Sequence, residues 1–317
     1  MRRASAREIT SAPSFKKTRP TDRVLGFGVS ATPLPDRFKQ FPRDLAAVAR
    51  HDRLGHDVPA LLAHPDWKSP APVVLWMHGR TADKELDPGR FLRWIRSGIA
   101  ACSIDLPGHG ERLSPDSHAP DASLRVIAQA VAEIDHVVES LADPRFGGVF
   151  DLDRIAIGGM SMGGIVALRR LCDPHPFACA AVEGTTGWLE GLYFPEERAG
   201  AGEAPPRWVA RHDRDEVASV SAAAHLAAFK PIPLLMLHSE ADRMMPFAVA
   251  KGFADRLRTH YQSAGADPSN IELVTWPETG APEEHIGFGR FSNDAKNRQT
   301  AFFVRELRPA INSGHSS

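Results

Sequence analysis

The feature that most constrains the fold is residues 154–169, RIAIGGMSMGGIVALR, where an apolar strand-like run, a glycine-rich turn and a helix-like run follow one another. Ser161 lies at the apex of the turn, in a G-x-S-x-G pattern formed with Gly159 and Gly163. We predict a turn so tight that a Cβ atom at either glycine would collide with the neighbouring strand or helix. Such a turn pushes the serine out of the backbone, as is typical of a nucleophile elbow.

The meaning of this pattern depends on its context, because a bare G-x-S-x-G occurs by chance in about one chain of this length in ten. A serine before a helix lies near unpaired N–H groups and the positive end of the helix dipole, which stabilise an oxyanion. A hydroxyl is a poor nucleophile by itself. The rest of the chain must therefore supply a histidine and an acid in a suitable order.

Composition favours a single large domain. A chain of 317 residues with 43% hydrophobic residues can bury a substantial core, so we expect one domain over residues 44–317 after a partly disordered extension over residues 1–43. The formal net charge of −1, without a basic stripe in the body of the chain, argues against nucleic-acid or membrane-surface partners. The oligomeric state stays open.

The cysteines and the amino terminus bear on location. Cys102, Cys172 and Cys179 lie in apolar contexts without metal-ligand spacing, which indicates buried reduced thiols and favours the cytoplasm. Residues 1–23 are basic but lack the apolar core of a secretory signal, although a mitochondrial transit peptide remains an alternative. No run approaches the 18 apolar residues of a membrane span.

Apolar runs and helical patterns alternate along the chain. Residues 44–51 and 57–64 read as an antiparallel hairpin, and the later strands are predicted at residues 73–77, 98–104, 154–157, 178–182, 233–237 and 271–276. Helical patterns cover residues 88–97, 122–141, 165–171, 247–261 and 293–307. This alternation predicts an α/β fold with a doubly wound, mostly parallel sheet and helices on both faces, whose sites form at the carboxyl ends of strands.

Two of these strand ends supply the partners that Ser161 needs. Asp242 follows the strand at residues 233–237, and His285 follows the strand at residues 271–276. The chain order Ser161, Asp242, His285 is that of a catalytic triad in which the histidine accepts the serine proton and the carboxylate orients the histidine. Glu240 is the alternative acid, and His109 and His238 are alternative bases at other strand ends.

With these motifs in family order, the chain resembles the α/β-hydrolase superfamily, and within it serine esterases of the dienelactone-hydrolase and prolyl-oligopeptidase-like group. The resemblance spans roughly residues 44–307. It is carried by G-x-S-x-G, by His285, and by three strand-end motifs: His78-Gly79, Asp105-x-Pro-Gly-His-Gly110, and His238-x-x-x-Asp242 with Pro246. Dienelactone hydrolases proper have cysteine where this chain has Ser161, so ordinary ester hydrolysis is favoured over dienelactone opening. The resemblance implies that no cofactor is needed, and the sequence contains no H-x-x-E-H, H-E-x-x-H or cysteine cluster that would indicate a metal site.

The resemblance also implies an oxyanion hole, and the length of one connection predicts a lid. The family places one oxyanion donor after the first buried strand, so the donors would be the backbone N–H groups of Met162 and Arg80. We expect the Arg80 side chain to be solvated, with binding of an anionic substrate as the alternative. Residues 184–230 exceed an ordinary connection, so we expect a small helical lid there. Its early side chains would line an acyl pocket or pack the lid on the body: Trp188, Leu192, Tyr193 and Phe194.

The expected activity is hydrolysis of short-acyl, water-soluble carboxylic esters through an acyl-enzyme. A peptidase of the S9 type or a thioesterase would use the same triad. Oligopeptidases of that type carry a large propeller domain, and only about 43 residues precede the hairpin here, so peptidase activity is the less favoured alternative. A binding protein on an inactive hydrolase fold is the alternative of another class, although this chain keeps all three triad candidates.

Overall fold

The structure is a computed structural model that describes residues 41–198, 206 and 208–308. The predicted extension over residues 1–43 therefore lies almost entirely outside the described residues. The sheet is built from eight described strands: β1 Ala49–Leu54, β2 Val58–Ala63, β3 Ala71–Met77, β4 Ala100–Ile104, β5 Phe150–Met160, β6 Cys179–Glu183, β7 Leu234–Ser239 and β8 Ile271–Trp276. Most of these are continuous apolar runs, as expected for strands that are covered on both faces.

The strand order in the sheet is β1-β2-β4-β3-β5-β6-β7-β8. Strand β2 pairs antiparallel with β1 and with β4, while β4, β3, β5, β6, β7 and β8 pair in parallel. The predicted hairpin is β1 and β2, with Ala49 opposite Ala63 and Leu54 opposite Val58. Its first strand begins five residues later than predicted, because residues 43–46 form a short helix.

Helices cover both faces of the sheet, and they are α1 Arg43–Ala46, α2 Pro88–Arg96, α3 Ser123–Ser140, α4 Met162–Arg170, α5 Leu189–Tyr193, α6 Arg214–Val220, α7 Phe247–Ser263 and α8 Ser292–Leu307. Alternate residues of each strand point to opposite faces. In β3, Val73 and Leu75 therefore belong to the apolar cluster that includes residues of α3, α4 and α7, whereas Val74 and Trp76 belong to the cluster that includes residues of α2 and α8. The doubly wound sheet predicted from the sequence is confirmed.

The described part of the predicted lid contains α5 and α6, joined by residues 194–213, of which 199–205 and 207 lie outside the described residues. Helix α6 begins with a capping box in which the Asp213 carboxylate accepts the Glu216 N–H. It packs against α5 and α3. The insert therefore adds helices beside α3, at the carboxyl edge of the sheet.

The three cysteines are free and buried, as predicted. Burial raises the pKa of Cys172 to about 12, and it also raises the pKa of Cys102 and Cys179. These thiols are therefore protonated at neutral pH and poor nucleophiles. Among the described residues, no helix combines the length and the apolar character that crossing a membrane would require.

Candidate active site

Ser161 joins strand β5 to helix α4 in a strained backbone conformation, with φ 51° and ψ −117°. A non-glycine residue in such a conformation costs about 1–3 kcal/mol and persists only where the surroundings impose it. Here the Ser161 N–H donates to the Glu183 carbonyl at 2.8 Å. The Ser161 carbonyl accepts from the Ile165 N–H at 3.0 Å and from the Thr185 hydroxyl at 2.8 Å. These three bonds fix the turn that presents the serine.

The two flanking glycines are required by close backbone approaches. A Cβ atom on Gly159 would lie 2.4 Å from the carbonyl carbon of Gly163, and one on Gly163 would lie 2.3 Å from the Met77 carbonyl oxygen. Neither neighbour is a flexible side-chain end. The turn therefore packs α4 directly on β3 and β5, which is the steric reason predicted for the glycines.

Ser161, His285 and Asp242 form a continuous hydrogen-bonded chain. His285 Nε2 lies 2.9 Å from Ser161 Oγ, and His285 Nδ1 lies 2.7 Å from Asp242 Oδ2. The Asp242 and His285 side chains are buried, while Ser161 is partly exposed to the cavity. Since a carboxylate only accepts, Nδ1 carries the proton and Nε2 presents its lone pair to the serine hydroxyl. This arrangement can remove the serine proton.

The loop after β7 orients Asp242. One carboxylate oxygen, Oδ1, accepts the N–H groups of Met244 and Met245 at 2.8 and 2.7 Å. The other oxygen, Oδ2, is then directed at His285. His238, at the end of β7, lies against the Met245 carbonyl at 2.8 Å, and burial lowers its pKa, so it is neutral and helps hold the same loop.

The loop after β8 is held by a residue that sequence reasoning missed. The Glu284 carboxylate accepts from the Thr279 N–H and hydroxyl at 2.6 and 2.7 Å, from the Gly280 N–H at 2.7 Å and from the Ser239 hydroxyl at 2.9 Å. These bonds, with the Thr279 N–H the largest contributor, lower the pKa of Glu284 to about 2. Glu284 directly precedes His285 and so fixes the position of the imidazole. Periodicity gives no signal for such loop contacts.

The alternative acid and bases have other partners than Ser161. His238 lies beside the proposed triad, with Nε2 3.8 Å from Asp242 Oδ2, but it contacts the Met245 carbonyl. Glu240 is exposed and accepts from the Thr275 hydroxyl at 2.6 Å. His109 Nδ1 lies 2.8 Å from the Pro107 carbonyl, and burial lowers the pKa of His109 to about 4.

The Leu106 N–H donates to Nε2 of His78, so the His78 Nδ1–H donates to the Gly79 carbonyl at 2.7 Å. His78 thereby shapes the strand end that leads to Arg80.

A cavity opens beside Ser161 and His285. Its wall consists of Arg80, Ser123, Ile127, Met162, Ile165, Leu189, Tyr193, Trp208 and Met244. Both predicted oxyanion donors, Arg80 and Met162, therefore belong to residues that line the cavity. Neither of their backbone N–H groups meets a backbone acceptor within the described chain. Contrary to expectation, the Arg80 side chain is partly buried in the wall rather than solvated.

Of the four predicted pocket residues, Tyr193 lines the cavity and the other three are placed differently. Trp188 packs on α7, with the Arg256 guanidinium 3.5 Å above its ring. Leu192 is fully buried in the core, and Phe194 lies beneath the Arg214 guanidinium at 4.3 Å. Residues four apart share one side of a helix. Helix α5 therefore turns Leu189 and Tyr193 toward the cavity, and Trp188 and Leu192 toward the body.

Trp208 and Met244 complete the cavity, although neither belongs to the predicted pocket. The Trp208 indole N–H donates to the Met244 carbonyl at 2.9 Å, which ties the insert to the loop that carries Asp242. Among the described residues, no group of three or more His, Cys, Asp or Glu side chains could hold a metal ion.

Comparison with known proteins agrees with this architecture. The sequence profile of the prolyl oligopeptidase family matches residues 129–310. The chain is 26% identical over 205 residues to esterase YjfP of Escherichia coli, a match that covers 60% of this chain and 77% of the relative.

Three solved structures show the same fold at low sequence identity. TT1662 from Thermus thermophilus superposes with a TM-score of 0.60 at 22% identity, covering 82% of this chain and 98% of that one. Pyrococcus furiosus esterase Pf2001 superposes with a TM-score of 0.56 at 18% sequence identity, covering 84% of this chain and 96% of that one. Pyrococcus horikoshii acylaminoacyl peptidase superposes with a TM-score of 0.60 at 18% sequence identity, covering 84% of this chain but 43% of that one. With the family profile spanning more than half of its length, the chain belongs to the prolyl oligopeptidase family of α/β-hydrolases.

Proposed function

We propose that this protein is a serine hydrolase that cleaves short-acyl carboxylic esters through an acyl-enzyme. Ser161 is the nucleophile, His285 the general base and acid, and Asp242 the residue that orients His285. The observation that carries the proposal is the hydrogen-bonded chain from Asp242 through His285 to Ser161 Oγ, with distances of 2.7 and 2.9 Å. The strained turn at Ser161 supports it further, because strain of this kind concentrates at functional sites.

The proposed reaction follows from the protonation states. Ser161 Oγ attacks the ester carbonyl while its proton passes to His285 Nε2, and Asp242 stabilises the resulting imidazolium. The backbone N–H groups of Met162 and Arg80 donate to the oxyanion. The leaving alcohol takes the proton from His285. Water, deprotonated by the same imidazole, then attacks the acyl-enzyme and releases the acid and Ser161.

The ester assignment is supported by the E. coli relative, which is named an esterase and aligns over 77% of its length. The preference for short acyl groups rests on the cavity. Tyr193 and Trp208 close it on the insert side, and the hydrogen bond from Trp208 to the Met244 carbonyl holds that side against the body. An acyl chain that outgrows this space would have to displace those groups.

The test is turnover of p-nitrophenyl butyrate by the parent protein and by Ser161→Ala. Loss of the hydroxyl should reduce kcat by about 10⁴-fold or more, because one oxygen carries the covalent chemistry. Ser263→Ala is a matched control, since it removes an exposed serine hydroxyl at the end of α7. Turnover by Ser161→Ala near the parent rate would refute the proposal.

The same assay separates ester hydrolysis from the other activities that this triad could support. We expect kcat/KM for the butyryl ester to exceed that for the matching butyryl p-nitroanilide and butyryl thioester. A peptidase would instead cleave peptide anilides efficiently, and a thioesterase would favour the thioester. Either of those preferences would replace the ester assignment while leaving the roles of Ser161 and His285 intact.

A further inference from the structure

Arg80 is a cation in the cavity wall with an incomplete set of partners. Its Nη2 donates to the His118 carbonyl, but its Nε is buried without an acceptor, and no carboxylate within the described chain lies at ion-pair distance. Two other arginines of the described chain have a carboxylate partner: Arg90 contacts Glu183 at 2.6 Å, and the Arg170 guanidinium contacts Asp135. Arg90 Nε also lacks an acceptor, so what distinguishes Arg80 is the missing carboxylate. Buried polar groups normally have a partner, so the unmatched donor of Arg80 requires an explanation.

The guanidinium stays charged in this setting. Burial lowers the pKa of Arg80, and Asp121, an exposed residue of the same neighbourhood, acts in the opposite direction. Because a guanidinium titrates far above neutral pH, a reduction of this kind leaves the positive charge in place at pH 7. The wall of the cavity, which Ser161 also lines, therefore carries a permanent cation.

Two further donors lie in the same cavity wall. Ser123 is 1% exposed, and its hydroxyl has no hydrogen-bond partner among the described residues. Tyr193 lies within the electrostatic influence of Arg80, and burial raises the pKa of its phenol to about 12, so it remains a neutral hydroxyl. The other lining side chains include the aliphatic residues Ile127, Ile165 and Leu189. Polar donors thus accompany one cation in an otherwise apolar pocket.

This set of groups fits a particular ligand. A carboxylate is acceptor-only, and its two oxygens match the parallel N–H groups of a guanidinium, while a hydroxyl can donate to the remaining lone pairs. The aliphatic wall suits a short methylene chain. Gly79, directly before Arg80, lies against Ser161, since a Cβ on Gly79 would be 3.4 Å from Ser161 Cβ. The backbone that carries Arg80 therefore lies close to Ser161, and both residues line the same cavity.

We infer that the substrate is a hemi-ester of a short dicarboxylic acid, whose free carboxylate is bound by the Arg80 guanidinium and the Ser123 hydroxyl. This inference rests on the proposed function, because the ester carbonyl must reach Ser161 while the carboxylate occupies the cavity. It narrows the substrate class from neutral short-acyl esters to anionic ones. It also gives the buried Arg80 Nε and the Ser123 hydroxyl the acceptors that they lack in the described residues.

The test compares two p-nitrophenyl esters of glutaric acid. In one the second carboxylate is free, and in the other it is a neutral methyl ester; the rate of hydrolysis in buffer alone is subtracted from each. The parent should prefer the anionic ester in kcat/KM by roughly tenfold to a hundredfold, the range of a charge-assisted contact. Arg80→Met should bring that ratio to one or below, and Arg80→Lys should restore part of it. Ser123→Ala should lower the ratio by about threefold.

Arg125→Gln is the matched control, since Arg125 is exposed on α3, two residues from Ser123, and does not line the cavity. It removes one positive charge nearby and should leave the ratio unchanged. Because both esters are measured on each variant, turnover of the neutral ester reports whether that variant is folded. Competitive inhibition by glutarate, weakened in Arg80→Met, provides a second readout.

The outcomes separate the two proposals. If the parent cleaves the neutral ester but does not prefer the anionic one, or if Arg80→Met keeps the preference, the carboxylate site is refuted and the proposed function stands. If Arg125→Gln lost the preference for the anionic ester to the same extent, the preference would come from overall positive charge rather than from Arg80, and the site would be refuted as well. If the parent cleaves neither ester, or if Ser161→Ala remains active, the proposed function itself fails.

Discussion

Two regions meet at the cavity, and they differ in how their side chains are positioned. At the sheet edge, Ser161, Asp242 and His285 each follow a parallel strand, and backbone hydrogen bonds hold their loops. In the insert over residues 184–230, short helices instead pack on the body through apolar side chains. The ends of the sheet's strands set the positions of Ser161, Asp242 and His285. The positions of the insert's side chains depend instead on which side of a short helix faces the cavity.

The comparison explains how far the sequence could predict the site. Chain order and strand ends selected Ser161 and His285, and the resemblance of the His238-x-x-x-Asp242 loop to the family pattern favoured Asp242 over Glu240. The structure brings Ser161, Asp242 and His285 into hydrogen-bond contact. Their catalytic roles remain predictions. In α5, by contrast, Leu189 and Leu192 are both apolar, so composition could not show which side of the helix meets the cavity. The burial of Arg80 depends on a wall shared by several elements, which no local pattern reveals.

The largest effects should come from the sheet edge. His285→Ala should reduce kcat on p-nitrophenyl butyrate by about 10⁴-fold or more, and Asp242→Asn by somewhat less, because members of a triad act as a unit. Glu240→Gln, which alters an exposed carboxylate bonded to Thr275, should change kcat less than twofold. An inactive Glu240→Gln beside an active Asp242→Asn would reverse the acid assignment.

An intermediate effect should come from the residue that positions His285. Glu284→Gln weakens the charge-assisted bonds to Thr279 and Gly280, so we expect kcat to fall by about tenfold, with KM changed less. The exposed neighbour Glu283→Gln is the matched control. Equal activities of Glu284→Gln and the parent would show that these bonds do not position the imidazole.

The same residue predicts a pH dependence of stability. Its pKa falls from an ordinary 4.5 to about 2 on folding, so its contribution is present above about pH 4.5 and is lost as the pH falls toward 2. The melting temperature of Glu284→Gln should therefore approach that of the parent over this interval. Thermal scans by circular dichroism from pH 6 to pH 2 provide the measurement. A difference in melting temperature between the parent and Glu284→Gln that stays constant with pH would contradict the contribution of Glu284 to stability.

The insert should give smaller changes in activity. Tyr193→Ala enlarges the cavity, so the acyl-length profile of neutral p-nitrophenyl esters should shift by one or two methylenes toward longer chains, with changes of a few fold in kcat/KM. Trp188→Ala should instead lower the free energy of unfolding by about 3 kcal/mol without moving the profile, because Trp188 packs on α7. A shift caused by Trp188→Ala, and none caused by Tyr193→Ala, would contradict the placement of α5.

The smallest effect should come from metal removal. The proposed chemistry uses a serine, an imidazole and backbone N–H groups, so dialysis against EDTA should leave kcat unchanged. A loss of activity that a divalent cation restores would require a metal site that this account does not include.

The central claim is that Ser161 is a nucleophile activated by His285, and covalent labelling tests it most directly. A fluorophosphonate reacts with a serine only where a base and oxyanion donors act together. Mass spectrometry of the digested protein should find the adduct on Ser161 in the parent, and none there in His285→Ala, whose fold is checked by circular dichroism. A parent protein that stays unlabelled, or a label on another serine with Ser161 unmodified, would contradict the claim.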